Sequence, residues 1–156
     1  QRQMCIRDRN VMRKYFSFCF YFLILFLISF KSSYGQDFTL TQTIKWSIGT
    51  EIQTPEGIIK TLGVDGAYID SRGHNGIITC VGSIGDVLKA DCNLKDQDGD
   101  ISYLDAYREI GGADGVSKMS GGTGKYQNVS ANCVYQIAAS NQNVSVGLVT
   151  MQCKNN

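Results

Sequence analysis

Apolar and polar residues alternate along most of the chain after residue 36, and a period of two predicts strands. Residues 38–48 (FTLTQTIKWSI) place Phe38, Leu40, Ile44, Trp46 and Ile48 on one face. No later stretch keeps apolar residues at i, i+3, i+4 and i+7 for long enough to predict more than a turn of helix. Gly, Asn and Asp interrupt the alternation at short intervals, which is the signature of an all-β domain with tight turns. Residues 58–64 and 67–71 read as two strands joined at Asp65-Gly66. That hairpin sets Leu62 opposite Ile69 on one face and Thr61 opposite Asp70 on the other.

The cysteines sharpen the register. Cys80 and Cys92 are equidistant from Asp86, so a three-residue loop Gly85-Asp86-Val87 makes them cross-strand partners. The same register pairs Ile84 with Leu88, Gly82 with Ala90 and Ile78 with Leu94 on one apolar face. Ser83/Lys89, Val81/Asp91 and Thr79/Asn93 then face mostly water. Near the C-terminus, Cys133 and Cys153 are centred on Asn143, which pairs Tyr135 with Met151, Ile137 with Val149 and Ala139 with Gly147. The expected disulfides are therefore Cys80–Cys92 and Cys133–Cys153, one of three connectivities open to four cysteines.

Between these hairpins the pattern leaves two registers open. A two-residue type I′ turn at Asp98-Gly99 pairs Leu94 with Tyr103 and Cys92 with Asp105, turning Tyr103, Asp105, Tyr107 and Glu109 inward. A slip of one residue buries Leu104 and Ala106 instead. In either register the strands suit an antiparallel β-barrel of about eight short strands, its lumen filled largely by side chains. Closure also removes exposed sheet edges. A two-sheet β-sandwich is the alternative.

The N-terminal segment reads differently. Residues 1–8, QRQMCIRD, match the translation of a transposase mosaic-end adapter, and Arg9 completes a foreign segment, 1–9, that takes no part in the fold. Residues 10–35 read as a signal peptide: Arg13-Lys14 precede an apolar run, and Ser33 and Gly35 are small residues at the −3 and −1 positions of cleavage before Gln36. The run falls short of the roughly 20 residues that span a bilayer, so no stable membrane anchor is expected after cleavage. Residues 36–156 then form a single domain, periplasmic or secreted, in which an even cysteine count implies bridges.

Removing residues 1–35 takes away six of fifteen basic residues and one of fourteen acidic ones, so the remainder carries nine against thirteen, a net charge near −4. No basic patch is left to hold a phosphate backbone, and a nucleic-acid partner is not expected. Catalytic chemistry has little to draw on. His74 is the lone histidine, in a loop-like RGHNG context, and no cysteine spacing suits zinc or redox work. The glycine-rich GGTGKY lacks the first glycine and the Ser/Thr of a phosphate loop, where Met119 and Tyr126 stand. DQDGD would put Leu94 at the first ligand position of a calcium loop and reads as a solvated turn. No metal and no cofactor are expected. Asp105 and Glu109 are the carboxylates whose burial would suit acid-base work.

The segment ITCVGSIGDVLKADCNLKDQDGD, followed about twenty residues later by GGTGKY, resembles a group of small exported bacterial proteins of uncharacterised function. Their Gly-Gly-Thr-Gly-Lys-Tyr/Phe run is similar to that of the allene oxide cyclase and dirigent-type β-barrels. The likeness covers residues 76–131, with Asn128 and Ala131 where further glycines are usual. It implies a barrel and carries over no catalytic residue. The function expected from sequence is an exported non-catalytic barrel module that binds a small apolar ligand. Trp46, Tyr68, Tyr103, Tyr107 and Tyr135 would form its walls, and Asp105 and Glu109 its polar groups. A cyclase or isomerase that confines a reactive substrate, and a structural or surface-interaction protein of the envelope, are the alternatives.

Overall fold

A computed structural model describes residues 36–156; the segments read as adapter and signal peptide lie outside the described residues. Eight antiparallel strands follow one another around a closed barrel: β1 (Phe38–Thr54), β2 (Gly57–Asp70), β3 (Asn75–Ile84), β4 (Val87–Asp96), β5 (Ile101–Glu109), β6 (Asp114–Gly122), β7 (Ser130–Asn141) and β8 (Val146–Asn155). The ring closes where β1 meets β8, with Leu40 beside Met151 and Ile44 beside Gly147. The described helical structure is a single 3-10 turn, Gly124–Tyr126. The barrel, not the sandwich, is the fold.

Alternation builds the core. On each strand every second residue points into the lumen, which Phe38, Leu40, Ile78, Leu94, Leu104, Met119, Ala131, Val149 and Met151 fill. Each large apolar side chain buried in this way contributes about 1.5–3 kcal/mol. Both expected disulfides are present, with Cα–Cα distances of 4.0 Å for Cys80–Cys92 and 4.1 Å for Cys133–Cys153. The β3–β4 register matches the expectation at every pair from Ile78/Leu94 to Ile84/Leu88. Disulfides of this kind belong to an oxidising, extracytoplasmic compartment.

Four readings of the sequence need correction. The strands are not all short: β1 has 17 residues and β2 has 14. Asp65-Gly66 is no turn, because both residues lie inside β2, hydrogen-bonded to β1 through Lys45 and Ile44 and to β3 through Thr79 and Ile78. Neighbours on both sides outweigh a local turn signal, and the reversal sits instead at Pro55-Glu56, where Thr54 pairs with Gly57. Ile69 is consequently 56% exposed and Asp70 points inward. At the end of β7 a bulge after Ile137 pairs Ala139 with Leu148 rather than with Gly147.

The fourth correction decides the site. The β4–β5 loop has three residues, Gln97-Asp98-Gly99, with Gly99 alone at positive φ (91°). The amide of Asp96 donates to the Asp100 carbonyl, and that of Gly99 to the Asp96 carbonyl. A type I′ turn needs positive φ at two central residues; a three-residue loop needs it at one, and Gly99 supplies it. The extra loop residue shifts the register by one, so Cys92 faces Leu104 and Asp91 faces Asp105. Leu104 is 2% exposed and Tyr103 43%. Tyr103, Asp105, Tyr107 and Glu109 therefore lie on the outer face.

Candidate functional site

One end of the barrel is sealed by a buried polar network built on two carboxylates. Asp70 ends β2 on the inward parity of Tyr68. Its Oδ1 accepts the amides of Arg72 and His74, both at 2.9 Å. Its Oδ2 accepts Arg72 Nε at 2.9 Å and Nη2 at 2.7 Å, with His74 Nδ1 at 3.1 Å. The Arg72 guanidinium lies 3.6 Å from the centre of the Phe38 ring, a cation–π contact that covers the core from below. Burial works against the Asp70 charge, but its bonds from Arg72 and His74 outweigh it and hold the carboxyl below the ordinary carboxylate value.

Asp96 does the same at the end of β4. Its Oδ1 caps the loop by accepting the amides of Asp98 at 2.9 Å and Asp100 at 3.0 Å. Its Oδ2 accepts Lys125 Nζ at 2.6 Å and the Tyr126 hydroxyl at 3.1 Å. Here too burial opposes the charge, and the bonds from Lys125, the two amides and Tyr126 outweigh it and depress the carboxyl pKa. Lys125, bonded to Asp96 and Asp98, is raised above the ordinary lysine range. Burial likewise raises Tyr126 and Tyr68, whose side chains are hydrogen-bonded to each other.

The network gives the GGTGKY motif its role. Thr123 Oγ1 accepts the Ile101 amide at 2.8 Å, and Asp100 Oδ2 accepts the Lys125 amide at 3.2 Å. Gly124 has φ of 49°, and a Cβ there would stand 1.9 Å from the Asp100 carboxylate. The motif is thus a strap that delivers Lys125 and Tyr126 to Asp96, and DQDGD, read as a solvated turn, contributes a fully enclosed carboxylate.

Among the described residues, the opposite end carries no such seal. Ile44, Val64, Leu88 and Ala106 are only partly buried there, and Ile137 is exposed. Between the network and this open end lies a void of about 100 Å³ lined by Ile44, Leu62, Val64, Ile78, Leu88, Leu104, Ala106, Tyr135, Val149 and Met151. Two polar side chains share its wall: Gln42 on β1 and Arg108 on β5. Gln42 is 4% exposed, and Gln42 Nε2 and Arg108 Nε are buried without a hydrogen-bond partner.

Of the residues expected to line a binding site, Tyr135 does so, Tyr68 belongs to the polar network, and Trp46 is half-buried on β1 toward the open end. Asp105 and Tyr107 line a wide trough on the outer face with Lys89, Asp91, Lys118 and Val134. That trough is larger than the lumen, at about 1240 Å³, but it lies open to solvent. The residues missed from sequence were Gln42, Asp70, Asp96 and Arg108, each on the inward parity of its own strand. No protein-family model matches the chain, and no curated protein matches it. The resemblance to the cyclase and dirigent-type barrels rests on residues 76–131 alone.

Proposed function

We propose that the protein is an exported, non-catalytic binding module, periplasmic or secreted, whose lumen takes a small apolar molecule through its unsealed end. The observation that carries this reading is the void of about 100 Å³ between the buried network and the open end, walled almost entirely by apolar side chains. Largely apolar cavities accept small hydrophobic guests; an engineered cavity of about 150 Å³ holds benzene, so in proportion this one holds on the order of four non-hydrogen atoms. A guest of that size binds with about −4 to −5 kcal/mol, a millimolar affinity. Asp105 and Glu109, the carboxylates that a catalytic reading called on, face outward.

A methyl-resolved NMR titration with 1-butanol tests the proposal. The Ile78, Leu88, Leu104 and Val149 methyls should shift together and saturate, while those of Ile77 and Val81 on the outer face stay still. Filling the void with Ala106→Leu should abolish the shifts. If the outer methyls move instead, or none move at tens of millimolar, the lumen is not a binding site.

A further inference from the structure

We infer that the lumen's ligand carries a carboxylate, held by Gln42 and Arg108. The inference rests on the lumen-binding reading and adds the chemistry of the ligand's polar group.

Three buried side-chain nitrogens among the described residues have no hydrogen-bond partner: Gln42 Nε2, Arg72 Nη1 and Arg108 Nε. Arg72 already spends Nε and Nη2 on Asp70 in the sealed end. The other two belong to residues of the void's wall. Both of these are donors, so the imbalance has a sign: the lumen lacks acceptors. A buried donor left without a partner is destabilising, and more so when the group is charged.

Arg108, whose Nε is buried while the residue as a whole is partly exposed, adds charge to the imbalance. It is the one charged residue in the wall of the void, and no salt bridge is found for it among the described residues. The buried carboxylates of the barrel are already engaged, Asp70 by Arg72 and His74, Asp96 by Lys125 and Tyr126. Arg108 also bears electrostatically on Tyr135, whose hydroxyl burial pushes up and the guanidinium pulls back. β1 and β5 stand four strands apart in a ring of eight, so Gln42 and Arg108 reach the void from opposite walls.

The complement to such a space is an acceptor group on a short apolar body. A guanidinium binds a carboxylate in fixed geometry, and charge-assisted bonds are about twice as strong as neutral ones. A neutral alcohol fills the same volume and leaves Arg108 without an anion. The structure thus assigns Arg108 to the charge and Gln42 to the second donor.

Butyrate and 1-butanol each have four carbons, the fourth being the carboxylate carbon in butyrate, and differ mainly in the polar group, so a paired titration separates lumen binding from carboxylate recognition. Wild-type protein at neutral pH and low salt should bind butyrate at least tenfold tighter than 1-butanol, through the same inward methyls. Arg108→Met should remove that preference and leave 1-butanol affinity within about threefold. Gln42→Leu should weaken butyrate by a smaller factor. Equal affinities for the two probes in wild-type protein would overturn the carboxylate inference and leave lumen binding standing. Butyrate binding that survives both substitutions, or that moves only outer methyls, would also overturn it. If neither probe enters the lumen, both the inference and the binding reading fall. The wild-type comparison needs no variant to fold.

Discussion

Asp96→Asn is the substitution that interrogates the sealed end most cleanly. Asparagine keeps the shape and one oxygen, so the bonds accepted from the Asp98 and Asp100 amides survive. What changes is the second position, where an NH₂ replaces the oxygen that accepts Lys125 Nζ at 2.6 Å and the Tyr126 hydroxyl at 3.1 Å. Tyr126 can turn to accept; an ammonium cannot. Losing a charge-assisted bond costs about 1.5–3 kcal/mol. Lys125 retains Asp98 at 2.5 Å, but that carboxylate is 62% exposed, and an exposed pair is worth less than about 1 kcal/mol. The net expectation is about 2 kcal/mol of destabilisation at pH 7, read by urea unfolding with disulfides intact. The gap should depend on pH in one direction. Burial opposes the Asp96 charge, yet its bonds hold the carboxyl below the ordinary 3.8. Its stabilisation is therefore full above about pH 4 and is lost as pH falls through the lower folded value. Wild type and variant should converge at low pH. A difference under about 0.5 kcal/mol at pH 7, or one that stays constant down to pH 2, would refute the buried ion pair.

Three further outcomes are expected. Leu104→Ala should cost about 2–5 kcal/mol, whereas Tyr103→Ser should fall within about 1 kcal/mol; chemical denaturation of the two variants reverses that order only if the β4–β5 register is wrong. Gly124→Ala should destabilise by about 2 kcal/mol in the same assay, since a side chain there takes a left-handed φ and meets the Asp100 carboxylate. Replacing Cys80 and Cys92 together by alanine should cost about 3 kcal/mol for a bridge across 12 residues; an unchanged midpoint would mean that the unfolded chain gains nothing from opening the loop.

The barrel was legible because alternation, turn residues and two symmetric cysteine pairs all pointed one way. Cys80 and Cys92 locked one hairpin and Cys133 and Cys153 another, so those registers came out within a bulge of the structure. Asp65-Gly66 and Asp98-Gly99 show the limit. Both are turn dipeptides, but the first is held extended by hydrogen bonds from both flanking strands, and the second turns with one extra residue. Local chemistry does not count neighbours, and a one-residue difference moved four candidate side chains from the lumen to the outside. The polar network was harder still. Asp70 and Asp96 sit on inward parity, yet a carboxylate at a strand end reads as solvent-facing until its cations, brought by loops as far away as residue 125, are known. Gln42 was the readable clue, standing at the one polar position in the inward series Phe38, Leu40, Gln42, Ile44.

A crystal structure under xenon pressure tests lumen binding most directly, because xenon enters apolar voids and needs no polar partner. A xenon site bounded by Leu88, Leu104, Ala106 and Val149, lost in Ala106→Leu, is the predicted result. Xenon absent from the lumen of the wild-type protein, or found only in the outer trough beside Tyr107 and Val116, would contradict it.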